Sequence, residues 1–276
     1  MSAGKVTVTQ LKQMKEAGEK ITAVAVFDYG FGKLADMAGV DVALVGDSLG
    51  MTFRGEENTL TVTVDEMAYH TKAVRRGVSR ALLVGDMPFL SCHLGVEETL
   101  KNAGKLVAAG AEAVKVEGGG KMIAVVEALV SAGIPVMGHL GLTPQSIHQL
   151  GGYKIQGRGK EKALRMMEEA QALAAAGVFS LVLECVPAQL AEEITRAIPA
   201  PTIGIGAGPA CDGQILVAYD LLGMPSKVTP KFVKKYADLA GVASHAMGEY
   251  IAETKHGVFP GEEHSYTTQP RHLKAI

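Results

Sequence analysis

Short apolar runs alternate along most of the chain with segments whose apolar residues follow a helical period. Each run is rich in Val, Ile, Leu and Ala, and most helical segments close on glycine. Apolar runs of this kind are typical of strands buried on both faces of a parallel sheet. Eight rounds of strand and helix predict an α/β fold, a closed (β/α)8 TIM barrel. The predicted strands are 21–27, 42–45, 81–84, 113–116, 134–139, 180–184, 202–206 and 215–219.

The alternative arrangement is an open, doubly wound sheet. Such a sheet usually carries GxGxxG after its first strand, and residues 28–32 (DYGFG) match that motif poorly. No break in composition marks a second domain, so we expect residues 1–276 to form one barrel domain. A lead-in helix is predicted at 8–17 and a long terminal helix at 231–253, followed by a polar tail. Residues 142–158 are predicted to form a long loop.

Composition narrows the classes of function. The chain has 276 residues, a formal net charge of −2, 5% aromatic residues and no Trp. This balance argues against a nucleic-acid-binding face. No apolar run approaches the roughly 18 residues of a membrane span, so no membrane association is expected. The three cysteines form no CxxC pair, which favours a reducing, cytoplasmic location.

Carboxylates stand at the ends of three predicted strands. Asp47 and Asp86 each follow an apolar run that stops on Gly-Asp, and Glu117 ends a third run. Barrel active sites lie at the carboxyl ends of the strands, so these acids are expected to share one site. Oxygen ligands of this kind suit Mg²⁺. The alternative for the two aspartates is helix N-capping.

Four more side chains are candidates at the same end. Lys115 lies two positions before Glu117, so both side chains face the barrel interior. Lys115 either anchors a substrate oxygen or forms a structural ion pair with Glu117. His139 is either a hydrogen-bonding partner of substrate or a structural histidine. Glu184, between apolar neighbours, suits a general base, or else pairs with an arginine. Ser48 precedes a predicted helix start, where it either helps to bind an anion or simply caps the helix.

The glycines of residues 204–208 (GIGAG) follow the seventh strand. Loops at this position of a barrel often bind phosphate, although glycine also serves tight turns.

Together these residues describe a metal site beside a cationic anchor and a candidate base. Such a site is suited to removing a proton next to a carbonyl group while the metal holds the enolate oxygen. A 2-oxo acid is the natural substrate class, because its keto and carboxylate oxygens chelate a metal. The residues alone do not name the electrophile.

Six motifs, in order from the second strand to Gly223, closely resemble the ketopantoate (3-methyl-2-oxobutanoate) hydroxymethyltransferase family. The matching segments are 45–51, 85–89, 114–118, 138–145, 151–158 and 203–209. The resemblance implies a barrel of the phosphoenolpyruvate/pyruvate superfamily. It implies transfer of a one-carbon unit from 5,10-methylenetetrahydrofolate to 3-methyl-2-oxobutanoate, giving 2-dehydropantoate for pantothenate and coenzyme A synthesis. It also implies a homo-oligomer, commonly a decamer.

The resemblance also implies roles for single residues. Asp47, Asp86 and Glu117 would be associated with Mg²⁺, and Glu184 would accept the proton from C3 of the oxo acid. The residues expected to contact that acid are Asp47, Ser48, Asp86, Lys115 and His139.

The sequence departs from the family at two places. Phe27 replaces the tyrosine common at the end of the first strand, and the tail 269–276 matches nothing recognisable.

Two other functions stay open at this point. One is a carbon–carbon lyase of the same superfamily, which would use the same metal and enolate but no folate. The other is a barrel that binds a metal-chelated oxo acid without catalysis.

Overall fold

Eight parallel strands close into a barrel in the computed structural model, which describes residues 4–226 and 229–267. The strands pair in sequence order, and the last strand pairs with the first. They are β1 Ile21–Ala25, β2 Val42–Val45, β3 Leu82–Asp86, β4 Ala113–Glu117, β5 Val136–Gly141, β6 Ser180–Glu184, β7 Thr202–Ile205 and β8 Gly213–Val217. The predicted (β/α)8 barrel is therefore confirmed.

Helices surround the barrel and account for the uninterrupted apolar character of its strands. Every residue of β2, β3 and β4 is buried, since one face packs inside the barrel and the other under helices. The helices are α1 Val8–Ala17, α2 Tyr29–Ala38, α3 Leu49–Thr52, α4 Val64–Gly77, α5 Val96–Ala108, α6 Met122–Ser131, α7 Ile147–Leu150, α8 Lys160–Ala175, α9 Ala188–Ala197, α10 Ala218–Leu221 and α11 Leu239–Lys255.

The structure corrects several predicted boundaries. The first strand ends at Ala25 rather than at residue 27, and the eighth is Gly213–Val217 rather than 215–219. The terminal helix begins at Leu239 rather than at residue 231, because Asp238 caps it by accepting a hydrogen bond from Gly241 N at 3.1 Å. The predicted loop 142–158 contains a 3₁₀ turn, Pro144–Ser146, and the short helix α7.

Helix α11 stands apart from the other long helices because none of its residues is buried. Its apolar side chains Val242, Met247, Tyr250 and Ile251 are exposed. None of the helices in the described ranges is long and apolar enough to span a membrane. The unmatched tail 269–276 lies outside the described residues, and the prediction of one domain over 1–276 stays a prediction.

Candidate active site at the carboxyl end of the barrel

The barrel brings six of the predicted site residues to one end. Asp86 is the last residue of β3, Glu117 of β4 and Glu184 of β6. The strand register sets Asp86 beside Lys115 and Glu117 beside His139, while Asp47 lies two residues beyond β2. Five of the six are buried, and the side chain of Glu184 is 17% exposed.

Lys115 is the centre of this cluster. Its ammonium lies 2.8 Å from Asp86 Oδ1, 3.3 Å from Glu117 Oε1 and 3.4 Å from His139 Nδ1. The Lys115 side chain is 5% exposed, so these contacts replace its hydration. The ion pair weighed above for Lys115 and Glu117 is therefore present, but as part of a larger network.

His139 joins this network to Glu184. Its Nδ1 lies 3.3 Å from Glu117 Oε1, and its Nε2 lies 3.4 Å from Glu184 Oε2. No arginine pairs with Glu184 within the described ranges, contrary to the structural alternative for that residue. His139 is therefore the basic side chain that contacts this carboxylate in the described residues.

The backbone around Glu184 is held on both sides. Its carbonyl accepts a hydrogen bond from Leu142 N at 2.8 Å, and the next residue, Cys185, donates from N to Ile205 O at 2.9 Å. Cys185 has φ of 50°, a left-handed conformation that is uncommon for residues other than glycine. These constraints aim the Glu184 side chain into the barrel mouth.

Gln145 belongs to the site although sequence reasoning did not select it. Its Nε2 donates to Asp47 Oδ2 at 2.9 Å and to Met87 O at 2.9 Å, and its backbone N donates to Glu117 Oε2 at 3.1 Å. The only signal in the sequence was its place in the matching segment 138–145, beyond the fifth strand.

Burial dominates the pKa values of the two aspartates. Burial raises the pKa of Asp47. The neighbouring acids Asp86 and Glu117 raise it further, so that the pKa of Asp47 lies well above its usual range. The pKa of Asp86 is also raised, because burial outweighs the nearby Lys115. Both aspartates therefore hold protons more readily than exposed carboxyl groups do.

The other groups shift toward their charged forms. Burial acts against the charge of Glu117, but Lys115 and His139 outweigh it and lower the pKa to about 2. The three acids likewise keep the pKa of Lys115 above its usual range despite burial. The pKa of His139 is raised too, since Glu117 and Glu184 outweigh burial and Lys115.

The donor set fits a divalent cation. Three buried carboxylates share one buried ammonium, and burial together with neighbouring acids raises the pKa of Asp47 and of Asp86. Mg²⁺ prefers hard oxygen donors, and the carboxylates here outnumber the ammonium. In the described ranges, no three Asp, Glu, His or Cys side chains already form a metal cage. Lys115 and Gln145 instead contact the oxygens that a metal would use.

Capping does not account for Asp47 or Ser48. Ser48 occupies the N-cap position of α3 but makes no capping hydrogen bond, and its side chain lines the cavity. Asp47 accepts the Gln145 amide, and its own N donates to Asp86 Oδ2 at 3.1 Å.

The glycines after β7 serve close packing. A Cβ on Gly206 would lie 2.8 Å from Phe232 Cδ1, and one on Gly208 would lie 2.6 Å from Ala188 Cβ. Both positions also have positive φ, 62° and 83°, so a tight turn and close packing account for glycine there.

The cluster opens into a cavity of about 800 Å³ at the barrel mouth. Its walls include the six clustered side chains, Tyr153 and apolar residues from β7 and β8. Burial, Glu184 and Asp47 raise the pKa of Tyr153, which places this half-exposed ring near the acidic end.

Comparison with known proteins shows which family the chain resembles over its length. The family model described as ketopantoate hydroxymethyltransferase matches residues 5–262. The chain is 53% identical to 3-methyl-2-oxobutanoate hydroxymethyltransferase of Trichlorobacter lovleyi, over 95% of this chain and 99% of that protein. It is 52% identical to the protein of that name from Carboxydothermus hydrogenoformans, over 99% of both chains.

Solved structures show the same fold at much lower identity. Phosphonopyruvate hydrolase in complex with oxalate and Mg²⁺ superposes with a TM-score of 0.61 at 14% identity, covering 94% of this chain and 93% of that one. 2,3-Dimethylmalate lyase, a member of the PEP mutase/isocitrate lyase superfamily, superposes with a TM-score of 0.59 at 17% identity. The match covers 96% of this chain and 92% of that one.

Proposed function

The chain belongs to the ketopantoate hydroxymethyltransferase family, and we propose that the cluster at its barrel mouth carries out the reaction of that family. The chain is thus an enzyme, a hydroxymethyltransferase of pantothenate biosynthesis. One observation carries the assignment of the site: Glu184, His139 and Lys115 form a connected line beside three buried carboxylates.

Glu184 is the proposed base that removes the proton from C3 of 3-methyl-2-oxobutanoate. Its carboxylate is only partly exposed, and His139 lies 3.4 Å away, where it orients the carboxylate. The electrons of the C3–H bond then form the C2–C3 double bond of the enolate. Lys115, a buried cation, lies where it balances charge on the enolate oxygen. Asp47, Ser48, Asp86 and His139 complete the proposed contacts with the oxo acid.

Asp47, Asp86 and Glu117 are the proposed Mg²⁺ carboxylates. When bound, the ion would supply positive charge at the oxo-acid oxygens and so favour loss of the C3 proton. The donor chemistry of the three acids supports this assignment.

The proposed co-substrate is 5,10-methylenetetrahydrofolate. C3 of the enolate forms a carbon–carbon bond with the one-carbon unit, water supplies the hydroxyl group, and tetrahydrofolate leaves. The one-carbon unit keeps its oxidation level, so the transfer needs no oxidant or reductant.

We further propose that the chain works as a homo-oligomer, and the decamer typical of the family is the expected form. The exposed apolar side chains of α11 support self-association, because no surface of the described chain covers them. Light scattering coupled to size-exclusion chromatography measures the mass directly. A monomer would contradict the proposal. The cytoplasmic location stays a prediction.

The function is tested by proton NMR in D₂O. Purified protein, Mg²⁺ and 3-methyl-2-oxobutanoate are expected to show metal-dependent loss of the C3–H signal. Addition of methylenetetrahydrofolate should then yield 2-dehydropantoate. Exchange of the C3 proton without formation of 2-dehydropantoate would support the enolate chemistry and refute methylenetetrahydrofolate as the co-substrate. No exchange even with folate would favour the lyase or the binding-protein alternative.

A further inference from the structure

Three of the eight strands at the barrel mouth carry none of the groups assigned above. The acids, Lys115 and His139 come from β2 to β6, or follow them, whereas β7, β8 and β1 complete the circle. A cavity of about 800 Å³ falls within the range of about 300–1,000 Å³ that suits a drug-sized ligand. A five-carbon oxo acid leaves most of that volume free.

The unassigned side is largely apolar, with one carboxylate, Asp220, and with Ser226 and Lys231 also among its walls. Ile205, Leu216, Val217 and Phe232 line the cavity there, and Asp220 of α10 lies with them. Such a lining suits a flat, largely apolar ligand that carries hydrogen-bond donors at one edge.

Asp220 is a half-buried acid without a partner. Within 4–226 and 229–267, no Lys, Arg or His nitrogen lies within 4.0 Å of its carboxylate and no donor is hydrogen-bonded to it. Burial raises the pKa of Asp220, and the more distant Lys235 offsets this only in part. A half-buried carboxylate in this state is stabilised by any ligand that brings donors to it.

The surroundings hold Asp220 and Phe232 in place. The neighbouring Tyr219 ring packs against Phe31 at 5.1 Å and Phe27 at 5.8 Å between centroids, and Leu221 O accepts a hydrogen bond from Tyr236 N at 2.8 Å. The Phe232 ring packs against Gly206, where a Cβ would approach to 2.8 Å. The backbone at Asp220 and the ring of Phe232 therefore form a wall that is held by packing.

We propose that this wall binds the pterin ring of the folate co-substrate, with Asp220 accepting hydrogen bonds from the ring N3–H and the 2-amino group and Phe232 against the ring. This inference rests on the proposed function. Two adjacent N–H donors match a carboxylate as the two donors of a guanidinium do. The site adjoins Glu184, because β7 and β8 follow β6 around the barrel and Ile205 of the wall pairs in register with Glu184.

The test separates folate binding from enolisation. Tetrahydrofolate binding to wild type and Asp220→Asn is measured by calorimetry, and C3–H exchange without folate is measured by NMR. Asp220→Asn is expected to bind tetrahydrofolate at least tenfold more weakly while exchange stays within about twofold, because a charged hydrogen-bond acceptor is lost. Glu193→Gln, an exposed carboxylate on α9, is the matched control and should change neither.

A ligand change tests the same contact without a variant. Wild type is expected to bind 2-desamino-2-methyltetrahydrofolate at least tenfold more weakly than tetrahydrofolate, and Asp220→Asn should lose that preference. Equal binding of both ligands by wild type would overturn the proposal. So would undiminished tetrahydrofolate binding by Asp220→Asn, or loss of exchange in a folded Asp220→Asn protein. Wild type that exchanges C3–H but binds no tetrahydrofolate would instead refute the folate part of the proposed function.

Discussion

Gln145 Nε2 lies 2.9 Å from Asp47 Oδ2, and this hydrogen bond ties the loop after β5 to the acid that follows β2. The Gln145 backbone N also donates to Glu117 Oε2. One residue therefore positions two of the three proposed metal carboxylates.

Gln145→Ala is expected to weaken Mn²⁺ binding, followed by electron paramagnetic resonance, and to slow C3–H exchange about tenfold. The reason is that Asp47 loses the amide that positions its carboxylate, and a lost hydrogen bond of this kind is worth about 1–3 kcal/mol. Gln145→Glu should weaken Mn²⁺ binding and slow exchange more than Gln145→Ala does, because it places a like charge beside Asp47. Gln171→Ala, an exposed glutamine on α8, is the control. Wild-type Mn²⁺ affinity in both Gln145 variants would refute the positioning role.

Glu184→Gln should slow C3–H exchange by about 100-fold or more, because a positioned base typically contributes 10²–10⁴-fold. The amide keeps the shape of the side chain, so 3-methyl-2-oxobutanoate binding is expected to persist. Exchange is followed by NMR and binding by calorimetry. A variant that exchanges at the wild-type rate would remove Glu184 from the role of base.

Lys115→Met is expected to destabilise the protein by about 3–5 kcal/mol without Mg²⁺, because buried acids lose their cation. Added Mg²⁺ should restore part of that loss. Urea unfolding with and without Mg²⁺ measures both effects. Lys101→Met removes a lysine whose side chain is 61% exposed, and is expected to cost at most about 1 kcal/mol. Equal costs for the two variants would show that Lys115 has no special electrostatic role.

Gly141→Ala is expected to cost several kcal/mol and to displace Glu184. Its φ is 97°, and a Cβ there would lie 2.1 Å from Glu184 O. Gly133→Ala is the matched control, since Gly133 has φ of 82° with nothing within 4 Å of its Cβ. The control should show only the left-handed backbone cost of about 1–2 kcal/mol. Thermal unfolding and the exchange rate are measured for both, and similar results would exclude the clash.

Asp36→Ala tests an acid far from the site. Burial raises the pKa of Asp36, but hydrogen bonds from Ala81, Ser79 and Arg80 outweigh it and lower the pKa below its ordinary 3.8. The stabilisation is therefore complete above about pH 4 and lost as pH falls through the lower folded value. Urea unfolding should show the variant to be about 1 kcal/mol less stable than wild type at pH 7. This difference in the free energy of unfolding should shrink as the pH falls toward about 2. A gap that widens in acid would contradict this sign.

Sequence patterning predicted the closed barrel and the strand-end acids because both depend on local periodicity. It missed Gln145, whose role depends on a loop folding back across the barrel mouth over acids of β4 and of the segment after β2. It also began the terminal helix near residue 231, since helical propensity does not reveal that Asp238 is the cap.

By itself, the sequence determined the alternation of buried strands and helices, the family, and which side chains stand at strand ends. Strand period and chain order are local properties, and parallel strands bring their ends together. Only the tertiary structure decided which atoms meet: Lys115 between Asp86 and Glu117, and His139 against Glu184. It also set Asp220 and Phe232 in the wall of one cavity, with no ion-pair or hydrogen-bond partner for Asp220 among the described residues. Those contacts depend on barrel register and closure, and the raised pKa of Asp47 depends on burial and on charges from β3 and β4.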